Sequence, residues 1–379
     1  MTGLVLALFG VSFALAALLT PVVRRLGTRR GLLDSAGSDG HAKTLRSVPN
    51  IGGIAITWSI VLPLIAGLAG AWLIGDRLAE DLPALAAHLP GMRSQTGLAV
   101  ALVGGLLWLH VLGLLDDRRA MGAWLKLGLM LVPPLVLILG FDVRMLTALD
   151  GWLGPVGVAA SMVVTLLWFV VITNAVNFMD NMDGLAAGTT AVAGAFFATA
   201  AILNGQWFVA MTLALLVGAA AGFWIYNKPK ASIFMGDGGS LVLGHLLAFL
   251  TVRTTYTGDG AMPENAWYAV FMPLCVLAVP LYDFTSVVII RLLQGKSPMV
   301  GDQQHFSHRL RDRGLTDAQV MTVVCGCSAV TGIGGILLGS VTEWQAILIG
   351  VQVVLVVLLL ALYEHGSRSG HDEDAEGSS

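Results

Sequence analysis

The chain alternates between long apolar runs and short polar connections along almost its whole length. A helix needs about 20 apolar residues to cross the core of a bilayer. Eleven runs approach that length and are predicted as transmembrane helices: Leu4–Val23, Ile51–Gly75, Thr96–Leu115, Leu125–Phe141, Pro155–Ile172, Leu185–Asn204, Trp207–Tyr226, Ser240–Thr255, Trp267–Ile290, Val320–Leu338 and Ala346–Tyr363. The pattern predicts an all-α polytopic membrane protein whose fourth span is kinked by Pro133-Pro134.

The composition supports this class. Of the 379 residues, 56% are apolar and 12% are charged, whereas a soluble domain carries about 25% charged residues. A soluble enzyme and a disordered chain are therefore disfavoured, and a net charge of −3 offers no basic field for nucleic acid. We predict one membrane domain over residues 1–363, with a disordered polar tail over residues 364–379.

Lysine and arginine are distributed unevenly between the two sets of connections. Every second connection between the runs, beginning with the one that holds Arg24, lies on the same side of the membrane as the C-terminal tail. Together these connections and the tail hold 17 of the 21 basic residues. Basic residues accumulate on the cytoplasmic side of membrane proteins. The bias predicts a plasma-membrane protein with an external N-terminus and a cytoplasmic C-terminus. The first run follows a flank without basic residues and is interpreted as an uncleaved anchor.

Four polar clusters lie at run ends, all on the predicted cytoplasmic side, where unpaired carboxylates near a bilayer are costly. The first cluster is Asp116-Asp117-Arg118-Arg119. Adjacent carboxylates repel one another unless a cation lies between them. The pair is either an ordinary charge cap balanced by the two arginines or part of a site for a phosphate or a metal.

The second cluster is NAVNFMDNMDGLAAG, residues 174–188. On a continued helix, Asn174, Asn177 and Asn181 fall within about 60° of one another, with Asp180 about 60° further round. Asp183 would point away unless Gly184 breaks the helix, as glycine can. An Asn cap and an Asp-Gly turn would need fewer polar residues, so we predict a wall of amides and carboxylates at the membrane surface.

The third cluster is NKPKASIFMGDGGS, residues 227–240, in which glycines surround Asp237. It precedes an apolar run, and the N-terminus of a helix attracts anions. An acid in such a loop suits a divalent cation, because Mg²⁺ commonly takes one or two carboxylates together with substrate phosphates. The alternative is a glycine-rich turn whose aspartate caps the next helix.

The fourth cluster is DQQHFSHRL, residues 302–310. His305 and His308 share one face if the segment is helical, but no further ligand at suitable spacing completes a zinc site. With Arg309 beside them, phosphate binding or acid–base work is favoured over a solvated loop. The nearby residues Thr316–Gln319 are predicted to form a capping box.

The shared side of these clusters indicates a phosphate and metal site, because transporters usually bury ionisable residues near the bilayer midplane. The run interiors hold few such residues, namely His110, His245 and Asp283. We therefore favour a membrane enzyme. A transporter or flippase for an anionic lipid or a nucleotide-linked substrate is the alternative.

In these motifs the chain resembles the polyprenyl-phosphate N-acetylhexosamine-1-phosphate transferase family. The resemblance covers about residues 48–315, including VPNIGGIAI at residues 48–56, the aspartate pair, NxxNxxDxxDGL, NxxPxxIFMGDxGS and HxxHRL. Asn181 stands where many members have glycine, and Ser307 stands where many have a further histidine. The chain is more similar to the GlcNAc-1-phosphate branch than to the phospho-N-acetylmuramoyl-pentapeptide translocase branch.

The resemblance implies that a polyprenyl phosphate, such as undecaprenyl phosphate, attacks a UDP-N-acetylhexosamine. The products would be a polyprenyl-diphospho-sugar and UMP in the first membrane step of a cell-envelope polysaccharide pathway. It implies a need for Mg²⁺, with Mn²⁺ as an alternative ion, and it leaves a homodimer open.

The resemblance also implies roles for individual residues. Asp237 would be a metal ligand together with Asp117. Asp116 and Asp117 would hold the lipid phosphate, assist metal binding or take its proton, and Asp180 would join them in the catalytic group. The residues implied for substrate binding are Asn174, Asn177, Asp183, Asn227, Phe234, His305, His308 and Arg309.

Overall fold

The computed structural model describes residues 1–31, 48–81, 86–254, 267–296 and 305–365. Within these ranges the chain is helical, apart from loops and one isolated β-bridge. In chain order the α-helices are α1 (Thr2–Arg29), α2 (Gly53–Leu73), α3 (Gly75–Asp81), α4 (Leu89–Ser94), α5 (Thr96–Arg118), α6 (Ala123–Met130), α7 (Val132–Phe141), α8 (Ala148–Leu153), α9 (Pro155–Met179), α10 (Leu185–Leu203), α11 (Trp207–Asn227), α12 (Asp237–Arg253), α13 (Met272–Val276), α14 (Ala278–Leu293), α15 (Phe306–Arg311), α16 (Asp317–Leu337) and α17 (Glu343–His365). Two short 3₁₀ helices cover Trp267–Phe271 and Leu338–Ser340.

The membrane-spanning set is smaller than the eleven spans predicted. In the described part of the chain, nine helices are long and apolar enough to cross a membrane, with α6 and α7 counted together. A bent pair, Tyr268–Val276 with Ala278–Leu293, makes a tenth if it is one span. The pair bends by 71°, and Pro280 lies in the first turn after the break, where it has no N–H to donate. The prediction of a polytopic all-α membrane protein is confirmed, and nine or ten of its eleven spans are long and apolar enough within the described residues.

Helix α12 corresponds to the eighth predicted span. It has 17 residues, and its residues from Gly238 to Thr251 are all buried. It packs mainly against α2, α5 and α9. The eighth predicted span is thus a short helix in the interior of the bundle, and its start is held at a fixed place.

Two glycines allow this close packing at the start of α12. A Cβ at Gly53 would lie 2.3 Å from the Gly239 nitrogen, and a Cβ at Gly113 would lie 2.3 Å from the Asp237 carbonyl carbon. Because any larger residue would collide with backbone atoms, α2 and α5 can approach the first turn of α12 only through these glycines.

The last two helices also match the sequence in detail. Thr316 and Gln319 form the predicted capping box at the start of α16. Helix α17 continues to His365, so Glu364, which we placed in the disordered tail, is helical and buried. A polar residue at the end of a helix can be ordered when it has a partner, and Glu364 pairs with Arg309. Residues 366–379, the rest of the predicted tail, lie outside the described residues.

Candidate active site

The loop that ends at Gly236 delivers Asp237 to the first turn of α12. Gly236 has a φ of +69°, which favours glycine. The loop is tied to the segment before α2, because the Gly52 N–H donates to the Phe234 carbonyl at 2.9 Å and the Gly53 N–H donates to the Met235 carbonyl at 2.9 Å. Phe234 itself is half-buried beside this bridge.

Asp117, at the end of α5, caps the N-terminus of α12. Its carboxylate accepts the Asp237 N–H at 3.0 Å, the Gly238 N–H at 3.2 Å and the Asn50 side-chain amide at 3.2 Å. A carboxylate is stabilised there by the helix dipole. The anion expected at this helix start is therefore present, but it is the protein's own carboxylate rather than a phosphate.

Asp116 has different partners from its neighbour. It accepts the Met121 N–H at 2.7 Å and the Lys126 ammonium at 2.8 Å. The Lys126 Nζ also contacts the Asp237 carboxylate, so one ammonium bridges two acids. Arg118 and Arg119 are exposed. The explanation of the aspartate pair as a charge cap balanced by its two arginines is therefore not favoured.

Two polar residues of the second cluster reach Asp237 or its loop. The Asn177 Nδ2 donates to Asp237 Oδ1 at 2.8 Å and to Ser240 Oγ at 2.8 Å. Asp180 accepts the Gly236 N–H at 3.1 Å. Asn174 instead donates to the Val170 carbonyl of its own helix at 2.8 Å. The amide and carboxylate wall therefore forms, with Asn177 and Asp180 as its inner members.

Helix α9, which carries Asn174 and Asn177, is shorter than predicted. Helix α9 ends at Met179, and Gly184 has a φ of +78° before α10 begins. The predicted break at Gly184 is therefore placed too late, because the helix already ends at Met179, and Asn181 also lies beyond the helix end. Its predicted place on the face of Asn174 and Asn177 was wrong because the helix ends before it.

Asp183 and Asn227 join the turn after α9 to the loop after α11. Asp183 accepts the N–H groups of Lys230 at 3.1 Å and Ala231 at 3.0 Å. Asn227 is buried, accepts the Gly184 N–H at 3.1 Å and donates to the Ile233 carbonyl at 3.0 Å. These contacts show how the two residues shape the loop, and their contact with substrate stays a prediction.

The histidine cluster is anchored by a buried acid in α14. Asp283 accepts the Phe306 N–H at 2.7 Å, and its other oxygen lies 3.1 Å from Nδ1 of His305. The His305 ring packs edge-on against Phe178, with 5.2 Å between ring centroids. The fourth cluster thus lies against the second, as their shared side of the membrane suggested.

His308 and Arg309, further along this cluster, lie in different surroundings. Burial, followed by the charge of Arg311, lowers the pKa of His308 to about 4, so its imidazole is neutral at pH 7. Arg309 pairs with Glu364 at 2.5 Å and donates to the Ser286 hydroxyl at 3.1 Å. These contacts direct the guanidinium toward α14 and α17, and its predicted contact with phosphate stays a prediction.

Lys126, Asn50 and Asp283 are the site residues that sequence reasoning missed. Lys126 was counted only as one of the basic residues that set the orientation. A lone lysine at the start of an apolar run, ten residues after Asp116, was the available signal. Asp283 was noted only as an acid inside a run, and Asn50 only as part of the segment before α2.

The donor chemistry at Asp237 suits a magnesium ion that is completed by substrate. Within the described ranges, no three His, Cys, Asp or Glu side chains are grouped so that they could hold a metal ion by themselves. The Lys126 ammonium bridges the carboxylates of Asp116 and Asp237, and the Asp117 carboxylate accepts the Asp237 N–H. Mg²⁺ usually takes one or two carboxylates and fills its shell with phosphates and water, so this set fits the ion.

Comparison with known proteins matches this part of the chain to a known family. Residues 99–255, which run from α5 through α12, match the family described as Glycosyl transferase family 4. The fold and this match define the class, a multi-pass membrane glycosyl transferase.

Individual relatives indicate which kind of membrane glycosyl transferase the chain is similar to. A probable undecaprenyl-phosphate N-acetylglucosaminyl 1-phosphate transferase of Bacillus subtilis is 27% identical over 93% of this chain and 90% of its own length. A decaprenyl-phosphate N-acetylglucosaminephosphotransferase of Mycobacterium tuberculosis is 30% identical over 95% and 90%. A phospho-N-acetylmuramoyl-pentapeptide-transferase of Mycolicibacterium smegmatis is 34% identical over 66% and 76%. The chain belongs to the polyprenyl-phosphate N-acetylhexosamine-1-phosphate transferase family.

Proposed function

We propose that this protein transfers N-acetylglucosamine-1-phosphate from UDP-N-acetylglucosamine to polyprenyl phosphate, releasing UMP. The observation that carries the proposal is the convergence of the aspartate pair, the Asn-rich cluster and the glycine loop on Asp237. The names of the Bacillus and Mycobacterium relatives support the N-acetylglucosamine donor and the polyprenyl acceptor. Joining two anions demands positioning and charge neutralisation more than covalent chemistry, and this site offers both.

In this proposal Asp237 and Asp117 hold Mg²⁺, or Mn²⁺ as the alternative ion. The ion would neutralise charge on the transferred phosphate as a Lewis acid. Asn177 fixes the orientation of the Asp237 carboxylate through its 2.8 Å hydrogen bond. Lys126 supplies a positive charge at the same carboxylate, where it can turn to a substrate phosphate.

The remaining polar residues are assigned to the two substrates. Asp116 lies beside Lys126 and would hold the lipid phosphate or take its proton. Phe234, with the loop that Asp183 and Asn227 shape, would form the wall of the uridine and diphosphate pocket. His305 would steady the phosphates or the sugar from the side of α15. Asn174, His308 and Arg309 would stand at the edge of that pocket.

We further propose that the site faces the cytoplasm of the plasma membrane, where nucleotide sugars are made. The support is the excess of Lys and Arg on that side. In a cysteine-free background, a Ser378→Cys variant should resist an impermeant maleimide in intact cells and react after lysis. A Ser94→Cys variant at the opposite end of the bundle is the matched control and should react in intact cells. The reverse pattern would overturn the orientation.

The activity itself is tested with purified protein in lipid nanodiscs. UMP release should require polyprenyl phosphate and Mg²⁺, and it should be fastest with UDP-N-acetylglucosamine in a panel of UDP-sugars. The Asp237→Asn variant should lose this activity while remaining folded. Asp76→Asn removes an acid that is 78% exposed at its side chain and pairs with Arg93, so it is the matched control. A transporter would release no UMP from any donor.

A further inference from the structure

The hydrogen bond between Ser307 and Asn181 connects two positions where the sequence differs from the motifs of the family that it resembles. The Ser307 hydroxyl donates to Asn181 Oδ1 at 2.6 Å, although the residues are 126 positions apart. Ser307 is buried, with 1% of its surface exposed. A buried hydroxyl requires a hydrogen-bond acceptor, and glycine at position 181 would provide none from a side chain. The two departures therefore meet in one contact.

The Asn181 side chain also closes the turn after α9. Its Nδ2 donates to the Phe178 carbonyl at 2.6 Å, while its Oδ1 receives the Ser307 hydroxyl. Asn181 directly follows Asp180, which accepts the Gly236 N–H next to Asp237. A contact that fixes the position of Asn181 therefore also restrains Asp180, and through Asp180 the loop that carries Asp237.

On the other side of the contact, Ser307 belongs to the first turn of α15. It is two residues from His305, which Asp283 holds through Nδ1. His305 also packs on Phe178, in the segment that Asn181 closes. The hydrogen bond and the ring contact thus join α15 to the end of α9 at two points, which fixes both distance and rotation.

We propose that Asn181 and Ser307 are a positioning pair whose hydrogen bond sets His305 and Asp180 in their places relative to Asp237. The inference rests on the proposed transferase function and deepens it. Neither residue needs to touch the substrates. Each acts through its neighbours, so removal of either should release the same linkage.

A double-mutant cycle tests this coupling. Ser307→Ala and Asn181→Ala should each lower kcat/KM for UDP-N-acetylglucosamine by about three- to tenfold, the size expected for one hydrogen bond. The double variant should lose no more than the worse single variant. Ser307→Thr keeps the hydroxyl and should retain most activity. Ser328→Ala deletes another buried hydroxyl, one bonded to the Val324 carbonyl within α16, and should leave kcat/KM unchanged.

Amide hydrogen exchange provides a readout that does not depend on turnover. Residues 306–311 should exchange faster in both single variants, to the same extent as in the double variant, and at the wild-type rate in Ser328→Ala. Additive losses in kcat/KM, or exchange that Ser307→Ala leaves unchanged, would overturn the positioning pair. If the wild-type protein releases no UMP from any donor, the transferase proposal fails, and the exchange cycle still decides whether the pair is coupled.

Discussion

Replacement of Asp117 by asparagine should have effects that differ clearly from those of the same replacement at its neighbour Asp116. In the structure, both oxygens of the Asp117 carboxylate accept hydrogen bonds, from the Asp237 and Gly238 N–H groups and from Asn50. An asparagine side chain offers one acceptor oxygen and places an NH₂ group where the second is needed. The Asp117→Asn change therefore removes a charge from the start of α12. It also places the new NH₂ group against another hydrogen-bond donor.

The size of the effect follows from these two losses. A charge at a helix N-terminus contributes about 0.3–1 kcal/mol, rising to about 2 kcal/mol when it is partly buried. A backbone N–H left without an acceptor costs about 1–3 kcal/mol. If the combined cost of about 1.3–5 kcal/mol is expressed in the transition state, turnover falls about 10- to 5,000-fold. The Asp116→Asn change should differ, because one oxygen can still accept the Met121 N–H.

The assay combines amide exchange at residues 237–241 with turnover as a function of Mg²⁺ concentration. Asp117→Asn should speed exchange at the start of α12 and raise the Mg²⁺ concentration needed for half-maximal activity. Asp116→Asn should lower turnover while the exchange of these amides stays at the wild-type rate. If the two variants behave alike, or if both effects are mild and additive, the capping role of Asp117 is refuted.

Three further changes probe the rest of the site. Lys126→Met removes the ammonium that neutralises Asp237, so the melting temperature should fall without Mg²⁺ and recover more on adding Mg²⁺ than that of the wild type. Asp283→Asn weakens the hold on His305, so turnover should fall about 10- to 100-fold with an altered pH profile. Gly113→Ala places a Cβ against the backbone of α12, so both the melting temperature and turnover should fall, the latter by about 100-fold or more.

Each of these changes has a matched control in the same chain. Lys296→Met removes an exposed lysine, Thr285→Ala alters an exposed neighbour of Asp283, and Gly104→Ala adds a Cβ that meets nothing within 4 Å. The controls should match the wild type in melting temperature and turnover. A test variant that is indistinguishable from its control counts against the role assigned to that residue.

The fold class could be predicted from the apolar runs because a chain this poor in charge cannot cover a water-facing surface. The number of spans could not be predicted in the same way. The run that became α12 has the composition of a membrane helix, and a local count does not register that the helix is short and lies in the interior of the bundle. The run around Leu277 is long enough to span, but a break there bends it by 71°.

The centre of the site was predictable because its residues stand in polar clusters at the ends of apolar runs, all on one predicted side of the membrane. Asp117, Asn177, Asp180 and Asp237 meet as expected. Lys126 escaped notice because its two acids lie 10 and 111 residues away, a pairing that no local spacing reveals.

The same limit explains the direction of Arg309. Next to two histidines, an arginine suggests a phosphate site, and its neighbours in sequence do not point to the carboxylate that it pairs with. Its partner, Glu364, lies on the last helix in a segment whose composition indicated disorder. Only the packing of α17 against α14 and α15 brings the two charges together.

The central claim is that sugar and phosphate move together to the lipid. The most direct measurement is the mass of the lipid product, with the released nucleotide quantified in the same reaction of wild-type protein, UDP-N-acetylglucosamine, polyprenyl phosphate and Mg²⁺. We expect a polyprenyl diphosphate that carries N-acetylglucosamine and an equimolar amount of UMP. A polyprenyl monophosphate that carries the sugar, formed together with UDP, would contradict the claim.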